Sequence, residues 1–433
     1  MNYAVIGAGI SGLTAAAMLR EAGGDVTVFE KDELAGGLIR CERVEGCLFH
    51  RTGGHVFNTK RADVLEWFWR HFDREAEFTK ASRNSMIAFE NAAGGTFCVP
   101  YPIEDHVYML DEATQRGFIR DLLSPKDATG EGFEGFLKER FGATLYELYF
   151  GPYNRKVWRR DLSCVPLEWL EGKLPMPTKE QMIFNNMNRV EERAFVHSTF
   201  WYPKAGGSQF IVDRLARGTT VVLGKAVERI ERDVAGKLCV NGRGGFDRVI
   251  YTGNVKSLPT VASNLCDLSA FASEIASLES HGTTSVFCEL EKNPYSWIYL
   301  PSPSHEAHRI ICTGNFAASN NADGMMTGTL EFTDFISDED IEQNLARIPF
   351  VKRVLKRNFA RYTYPIQNAN TRKLIASLKR ALENSGVSLL GRFAEWEYYN
   401  MDAAIGAAMD LCKIIGGTNG QIHRGYDFAS RDG

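Results

Sequence analysis

The first thirty residues alternate apolar strands with a glycine-rich turn and a helical segment. Residues 3–6 form an apolar run of strand length, and the segment GAGISG at 7–12 follows it directly. Residues 13–22 have a helical composition, and a second apolar strand over residues 25–29 ends in Glu30. Strand, glycine turn, helix, strand and terminal acid in this order predict the first unit of a dinucleotide-binding α/β fold.

The residues of this unit have predicted roles in holding an adenine dinucleotide. Gly7 permits a tight turn, Gly9 lets the backbone approach a pyrophosphate, and Gly12 lets the helix pack close to the strand. Ser11 lies in the glycine-rich turn just before the helix, whose N-terminus holds negative charge through its free N–H groups and dipole. Glu30 can accept hydrogen bonds from both ribose hydroxyls, so a phosphate on that ribose would be repelled.

The pattern farther along the chain predicts a helical insertion and a region that mixes strands with helices. Apolar residues recur every three or four positions in the helical insertion. The predicted helices lie at residues 106–123 and 132–148, near 338–357, and at 401–411. The predicted strands lie at residues 219–223, 248–252, 283–290, 309–313 and 388–390.

Composition narrows the class of protein. The chain has 433 residues, enough for two or three domains at about 150 residues each. Its hydrophobic content of 44% and charged content of 24% are those of a globular protein. A net charge of −4 with both signs dispersed gives no basic face for nucleic acid and no polybasic run for an anionic membrane. A small-molecule ligand is therefore favoured, with no nucleic-acid partner.

The cysteines and the apolar N-terminal residues indicate the cellular compartment of the protein. The nine cysteines include no CxxC pair and no zinc spacing, which is typical of reduced thiols in a cytoplasmic protein. Residues 4–19 resemble a signal peptide in hydrophobicity, but the run lacks a basic segment before it and is interrupted by glycines. No other stretch approaches the roughly 20 apolar residues that a membrane span needs. We therefore expect a cytoplasmic protein without membrane insertion.

Three further segments favour FAD over NAD. Glu30-Lys31 followed by Gly36-Gly37-Leu38 resembles the extension of the glutathione-reductase-like flavoproteins, in which the glycine pair passes close to the FAD pyrophosphate. Gly391-Arg392, before a helix that begins at Met401, resembles the second Gly-Arg segment of that superfamily, which closes on the flavin side of the pyrophosphate. Val227 matches the stretch whose backbone meets the adenine, although one more buried sheet valine is an almost equally good interpretation.

These segments predict an α/β fold with a discontinuous Rossmann-type FAD-binding domain, a helical insertion and a substrate domain built on a mixed sheet. The FAD-binding domain would combine residues 1–80, 200–258 and 385–415, so that both ends of the chain close on one cofactor. The helical insertion would span residues 105–165. The substrate domain would combine residues 81–104, 166–199 and 259–384, followed by a polar tail over 416–433.

Seven short motifs in order along the chain resemble those of the flavin-dependent UDP-galactopyranose mutases, and more closely their eukaryotic branch. They are Gly53-Gly54-His55-Val56-Phe57, Val99-Pro100-Tyr101-Pro102, Pro152-Tyr153-Asn154-Arg155-Lys156-Val157-Trp158, Trp169, Tyr202-Pro203-Lys204-Ala205-Gly206-Gly207, Tyr364-Pro365, and Gly391-Arg392 with Tyr398. The motifs run from end to end of the chain, beside a complete set of FAD-binding segments.

The resemblance implies an isomerase, a nucleotide-sugar pyranose–furanose mutase. In this family reduced FAD is the active form, and its N5 acts as the nucleophile on the anomeric carbon of the sugar. NADH or NADPH would supply the electrons that prime the flavin, and the product would serve cell-surface polysaccharide biosynthesis.

The resemblance also implies roles for individual residues. His55 would lie beside the flavin and help tune N5, and Arg309 would grip the diphosphate with its planar guanidinium. The alternatives are a loop histidine with satisfied hydrogen bonds and a surface arginine that ends a strand. Lys173 completes the predicted catalytic set. The other predicted substrate contacts are Tyr101, Glu104, Tyr153, Asn154, Trp158, Tyr364, Tyr398 and Asn400.

Four departures from the family pattern leave the sugar and the nucleotide open. Lys173 stands where the family has a second diphosphate arginine, and Glu104 stands where the eukaryotic branch has a glutamine near the uracil. An ionised carboxylate cannot donate a hydrogen bond to a base carbonyl. Phe316 replaces a tyrosine, and Asn400 replaces an aspartate of the bacterial pattern. A different sugar on UDP, dTDP or GDP is therefore compatible with the sequence.

Two other functions compete with the mutase. One is an FAD-dependent oxidoreductase of the amine-oxidase or protoporphyrinogen-oxidase type, which shares the glycine-rich turn, the GG extension and the C-terminal Gly-Arg segment. The other is a flavin-binding protein without sugar chemistry. The helical insertion could also carry the interface of a homodimer.

Overall fold

The predicted α/β class is confirmed by a computed structural model, which describes residues 1–91, 94–124, 132–167, 177–190 and 199–417. Its strands, in chain order, are β1 (Asn2–Ile6), β2 (Asp25–Phe29), β3 (Cys41–Val44), β4 (Cys47–His50), β5 (Phe78–Ser82), β6 (Ser85–Glu90), β7 (Thr96–Pro100), β8 (Thr199–Pro203), β9 (Thr220–Val222), β10 (Ile230–Arg232), β11 (Leu238–Val240), β12 (Arg243–Phe246), β13 (Arg248–Tyr251), β14 (Glu279–Leu290), β15 (Trp297–Tyr299), β16 (Arg309–Ile311), β17 (Thr327–Thr333), β18 (Val351–Ile366) and β19 (Val387–Leu389).

The α-helices lie between these strands and at the C-terminal end. They are α1 (Ile10–Glu21), α2 (Ala62–His71), α3 (Arg74–Glu77), α4 (Glu112–Leu123), α5 (Gly132–Leu145), α6 (Gly151–Trp158), α7 (Lys179–Asn188), α8 (Gly207–Ala216), α9 (Leu258–Val261), α10 (Ala272–Ser277), α11 (Asp338–Leu345), α12 (Thr371–Leu382) and α13 (Met401–Gly417).

A five-stranded parallel sheet contains both the first and the last strand of the chain. Its order is β19-β13-β1-β2-β9, with β1 in the centre and buried from Tyr3 onward. Continuous apolar strands of this kind suit a parallel sheet that is covered on both faces. Helices α1 and α13 pack together in the core on one face, so residues from both ends of the chain form one core.

A seven-stranded mixed sheet supplies the second layer. Its order is β18-β14-β17-β16-β15-β6-β7; β15 and β6 pair in parallel and the other neighbours are antiparallel. All seven residues of β17 are buried. Helices α4 to α7 form a third unit around Phe133, Leu137 and Tyr146. The Arg309 strand β16 lies between the buried β17 and β15, which places that arginine inside the sheet and not at its edge.

Three predicted helices differ from the observed ones. The helix near 338–357 ends at Leu345, and residues from Val351 onward form strand β18, because pairing with β14 outweighs the helical composition of this segment. The first predicted helix starts at Glu112, where the Asp111 side chain accepts a hydrogen bond from the Thr114 backbone N–H. The second is kinked at Gly142, whose φ of 86° is outside the helical region.

Across the residues that the structure describes, no helix combines the length and hydrophobicity needed to cross a membrane.

Candidate active site

A cavity of about 820 Å³ opens at the carboxyl ends of β1 and β2. This is where ligands bind in open parallel sheets. Nearly all the predicted cofactor residues lie on its wall, namely Gly7, Gly9, Ser11, Glu30, Lys31, Gly37, Leu38, His55, Val227, Gly391, Arg392 and Met401. The predicted substrate residue Asn400 also lines it.

The glycines of the first turn act in different ways. A Cβ at Gly9 would meet no protein atom within 4 Å, so this glycine faces open space in the cavity. A Cβ at Gly12 would overlap the Gly7 carbonyl oxygen, so Gly12 allows the helix to approach the strand and does not line the cavity. Gly7 has a φ of 102°, which side-chain-bearing residues rarely adopt. Backbone therefore forms the wall where a pyrophosphate would lie.

Glu30 is fixed at the end of β2 by two backbone donors. Its carboxylate accepts hydrogen bonds from the Ala8 N–H at 2.7 Å and the Asp32 N–H at 3.0 Å, and the residue is 6% exposed. Each carboxylate oxygen has further acceptor capacity. The carboxylate is thus held rigidly beside the cavity at the position that a ribose diol requires.

His55 also lines the cavity. Burial, together with the charges of Arg392 and Arg309, lowers the pKa of its imidazole to about 4. Its Nε2 lies 2.6 Å from the Thr52 carbonyl oxygen, so this nitrogen carries the proton and donates it. His55 is therefore a neutral side chain with a defined tautomer at neutral pH.

These features together fit FAD. Its wall combines glycines at a helix N-terminus, a fixed carboxylate and a neutral histidine. Helix α1 has no acidic residue in its first turn, so nothing there repels a phosphate. By the resemblance, Glu30 would hold the ribose of bound FAD and His55 would lie near its flavin, so the part of the cavity around His55 is called the flavin end.

Arg309 is held by a buried carboxylate beside the flavin end. Its Nε donates to Glu331 Oε2 at 2.5 Å, and its Nη2 donates to the Tyr364 hydroxyl at 2.9 Å. The Tyr364 ring stacks on Tyr398 with centroids 5.6 Å apart, and the Arg392 guanidinium lies 4.8 Å from the centre of the Tyr398 ring. Four predicted site residues thus form one continuous polar group with Glu331.

Glu331 is a site residue that sequence analysis missed. Its side chain is 1% exposed, and its second oxygen accepts a hydrogen bond from the Gly53 N–H at 2.7 Å. One carboxylate therefore links the Gly53-Gly54-His55 turn to the Arg309 guanidinium. The signal that could have found it is a single charged residue in the otherwise uncharged strand TGTLEFT, since a buried carboxylate needs a partner.

A group of tyrosines extends this site toward the helical unit. The Tyr153 ring lies 5.6 Å from Tyr299, and the Tyr299 ring lies 5.0 Å from Tyr101. Arg83, another residue missed from the sequence, donates to the Tyr299 hydroxyl at 2.8 Å and lies over the Tyr101 ring. The Arg309 guanidinium is close enough to Tyr153 to act electrostatically on its hydroxyl. Predicted substrate residues from three segments therefore meet here.

Glu104 is buried in a short turn of 3₁₀ helix next to this group. It is 3% exposed, and burial raises the pKa of its carboxyl to about 8. The protonated form therefore predominates at neutral pH, and a protonated carboxyl can donate a hydrogen bond. This corrects the premise that Glu104 is only an acceptor, which assumed the ionised form.

Other predicted site residues have local partners. The Asn154 amide donates to the Phe150 carbonyl oxygen at 2.8 Å, and Trp158 is 8% exposed in the core beside Phe133. Phe316 is buried against Trp297. Lys173 lies outside the described residues.

Comparison with known proteins identifies the family. Residues 10–310 match the family described as flavin containing amine oxidoreductase. The chain belongs to this family. A UDP-galactopyranose mutase of Mycoplasma pneumoniae is 22% identical over 428 residues, which cover 94% of each chain.

A second relative and a solved structure are also similar to this chain. A dTDP-fucopyranose mutase of Escherichia coli is 27% identical over 178 residues, which cover 40% of this chain and 45% of that protein. The solved structure of a reduced UDP-galactopyranose mutase has a TM-score of 0.81 at 19% identity, with 96% of each chain covered. The fold is that of the flavin-dependent UDP-galactopyranose mutases, and the resemblance seen in the sequence motifs is confirmed.

Proposed function

We propose that the protein is a nucleotide-sugar pyranose–furanose mutase. The observation that carries the proposal is the Arg309 guanidinium, fixed by Glu331 and Tyr364 beside the flavin end of the cavity. A preorganised arginine next to a flavin suits a substrate whose phosphate oxygens bind the arginine while its sugar lies at the cofactor. Similarity to a UDP-galactopyranose mutase over 94% of the chain supports the same reaction.

Different side chains have different roles in binding the substrate. When bound and reduced, FAD supplies the nucleophile for the anomeric carbon. Arg309 and Tyr364 bind the diphosphate, which is the leaving group, and stabilise its charge as the glycosidic bond breaks. Lys173 supplies a second positive charge. Neutral His55 contacts the flavin and adds no charge of its own.

The nucleotide is selected near Tyr101 and Glu104. A protonated Glu104 can both donate to and accept from a base, as a glutamine side chain does, so UDP and dTDP donors remain the first candidates. NADH or NADPH would supply the electrons that bring bound FAD to its reduced form and would not be consumed in each cycle.

An FAD-dependent oxidoreductase is the second candidate, because the family includes enzymes that oxidise amines. The substrate of such an enzyme has no diphosphate group and needs its own route to the flavin. Arg309 is 21% exposed and its partner Glu331 is 1% exposed, so the guanidinium is the group that a substrate can reach, and it favours an anionic substrate over an amine.

The test is a titration of the photoreduced holoprotein with UDP, dTDP and GDP, followed by flavin absorbance. Wild-type protein should bind one of them tightly, and Arg309→Lys should weaken binding by about 2 kcal/mol, roughly 30-fold, because lysine lacks the planar fork. Arg309→Ala is a poorer variant, since it would leave the Glu331 carboxylate buried without its ion-pair partner.

The matched control is Arg353→Lys, a 48% exposed arginine paired with Glu45, which should bind as wild type does. If none of the nucleotides binds, the oxidoreductase is the better proposal.

A further inference from the structure

His50 lies at the end of strand β4, three residues before the Gly53-Gly54-His55 turn. Its side chain is fully buried, at 0% exposure. Burial and the neighbouring His55 hold the pKa of His50 well below its ordinary value, so the imidazole is neutral. A fully buried neutral histidine needs partners for both ring nitrogens.

Both ring nitrogens of His50 have partners, and these fix its tautomer. The His55 backbone N–H donates to His50 Nδ1 at 3.0 Å, so Nδ1 is an acceptor. The proton of neutral His50 must then be on Nε2, which lies 2.7 Å from the Tyr202 hydroxyl oxygen and donates to it. Asn320 donates to the same hydroxyl at 3.1 Å. The hydrogen bonds therefore form a directed chain from the His55 backbone to Tyr202.

Contacts with neighbouring rings fix the orientation of the His50 imidazole. The rings of His50 and His55 are nearly parallel, with centroids 5.7 Å apart and 6° between planes. Tyr202 stacks on His50, and Phe316 packs against the His50 ring with its edge. Phe316, at a position where the resemblance expects a tyrosine, thus helps to enclose His50.

The turn that carries His55 is held at both ends by buried acceptors. Glu331 accepts from the Gly53 N–H at 2.7 Å, and His50 accepts from the His55 N–H at 3.0 Å. The glycine at 53 has a φ of 69°, so the turn depends on these contacts and on glycine to keep its shape. Any change in the turn moves the His55 ring relative to the flavin end of the cavity.

We propose that His50 is a positioning residue that holds His55 against the flavin and thereby sets the relative affinity of the protein for oxidised and reduced FAD. The role goes beyond the proposed sugar chemistry and does not depend on it, because it concerns the cofactor alone. Tyr202 and Asn320 extend the same control by fixing the orientation of the His50 ring.

The experiment compares four variants of the full-length holoprotein by the reduction potential of bound FAD, measured against a redox dye. His50→Leu removes the acceptor for the His55 N–H, and Tyr202→Phe removes only the hydroxyl that orients His50. His50→Asn keeps an acceptor oxygen at the position of Nδ1. The matched control is His71→Asn, a histidine on α2 bonded to the Trp67 carbonyl and Glu21, away from the cavity. Melting temperatures are measured in parallel.

His50→Leu should change the ratio of the two FAD dissociation constants tenfold or more, which is about 30 mV for a two-electron couple. Tyr202→Phe should shift it at least threefold in the same direction, and His50→Asn and His71→Asn should stay within threefold of wild type. The proposal is overturned if His50→Leu lowers the melting temperature and leaves the ratio unchanged, or if His50→Asn shifts the ratio as much as His50→Leu. If His50→Leu does not fold, Tyr202→Phe decides: a shift supports the proposal and an unchanged ratio refutes it.

Discussion

At the scale of single residues, burial decides the charge states of the site. His55 and Glu104 are both neutral at pH 7, one because burial and nearby arginines lower its pKa to about 4 and the other because burial raises its pKa to about 8. Arg309 keeps its charge because the buried Glu331 carboxylate lies 2.5 Å from its Nε. Arg309 is therefore charged, whereas His55 and Glu104 are neutral.

The raised pKa of Glu104 predicts a pH-dependent stability. Between its ordinary pKa of 4.5 and its folded pKa of about 8, the native state keeps a proton that the unfolded state releases. The contribution of this group is fully present below pH 4.5 and falls by about 1.4 kcal/mol per pH unit as the pH rises toward 8. Glu104→Gln should abolish this slope, measured as melting temperature from pH 5 to pH 8.

The control for this prediction is Glu112→Gln, on a side chain that is 77% exposed. It should leave the wild-type pH dependence intact. A Glu104→Gln protein whose melting temperature falls with pH as steeply as that of wild type would contradict a buried, protonated Glu104.

At the scale of elements, one glycine of the glycine-rich turn contributes to cofactor binding and another to folding. Gly9 faces open space in the cavity, whereas Gly12 faces the Gly7 carbonyl oxygen across the contact between α1 and β1. The two glycines are three residues apart and have different functions.

This difference predicts opposite outcomes for two similar substitutions. Gly9→Ala should leave the melting temperature of the apoprotein close to wild type and weaken FAD binding at least tenfold, because its methyl group occupies cofactor space. Gly12→Ala should lower the apoprotein melting temperature, because its Cβ collides with backbone. Apoprotein melting and FAD titration measure both. A Gly9→Ala protein that binds FAD normally would show that the pyrophosphate does not pass this glycine.

The sequence predicts the local elements better than the contacts between them. The strand, glycine turn, helix and Glu30 are all local, so the pattern predicts them, and the structure places them around one cavity. Glu331 was missed because its role depends on Arg309, 22 positions away, and on the Gly53 N–H. The prediction of a helix from Val351 onward was wrong. Strand β18 lies at the edge of its sheet and pairs with β14, and its buried and exposed residues do not alternate regularly, so the sequence does not indicate a strand.

At the scale of the whole molecule, segments near both ends of the chain line one cavity, which is the proposed FAD site. Strand β19 pairs with β13, α13 packs on α1, and Arg61 binds Asp410 through both terminal nitrogens at 2.8 and 2.9 Å. The segment that follows β19 supplies Gly391, Arg392 and Met401 to the cavity.

A chain that ends after residue 384 should therefore lose FAD and cooperative folding. The matched control ends after residue 417 and keeps β19 and α13, so it should retain FAD as full-length protein does. Gel filtration with flavin absorbance and thermal melting measure the two properties. Retention of stoichiometric FAD by the shorter chain would contradict a site built from both ends.

The most direct test of the proposed function is turnover by dithionite-reduced protein with a panel of UDP-, dTDP- and GDP-hexopyranoses, analysed by anion-exchange chromatography. The account predicts that at least one of them is converted reversibly to its furanose form, without net consumption of reductant. No conversion of any member of the panel, together with oxygen uptake driven by an amine or a porphyrinogen, would contradict it and identify an oxidase.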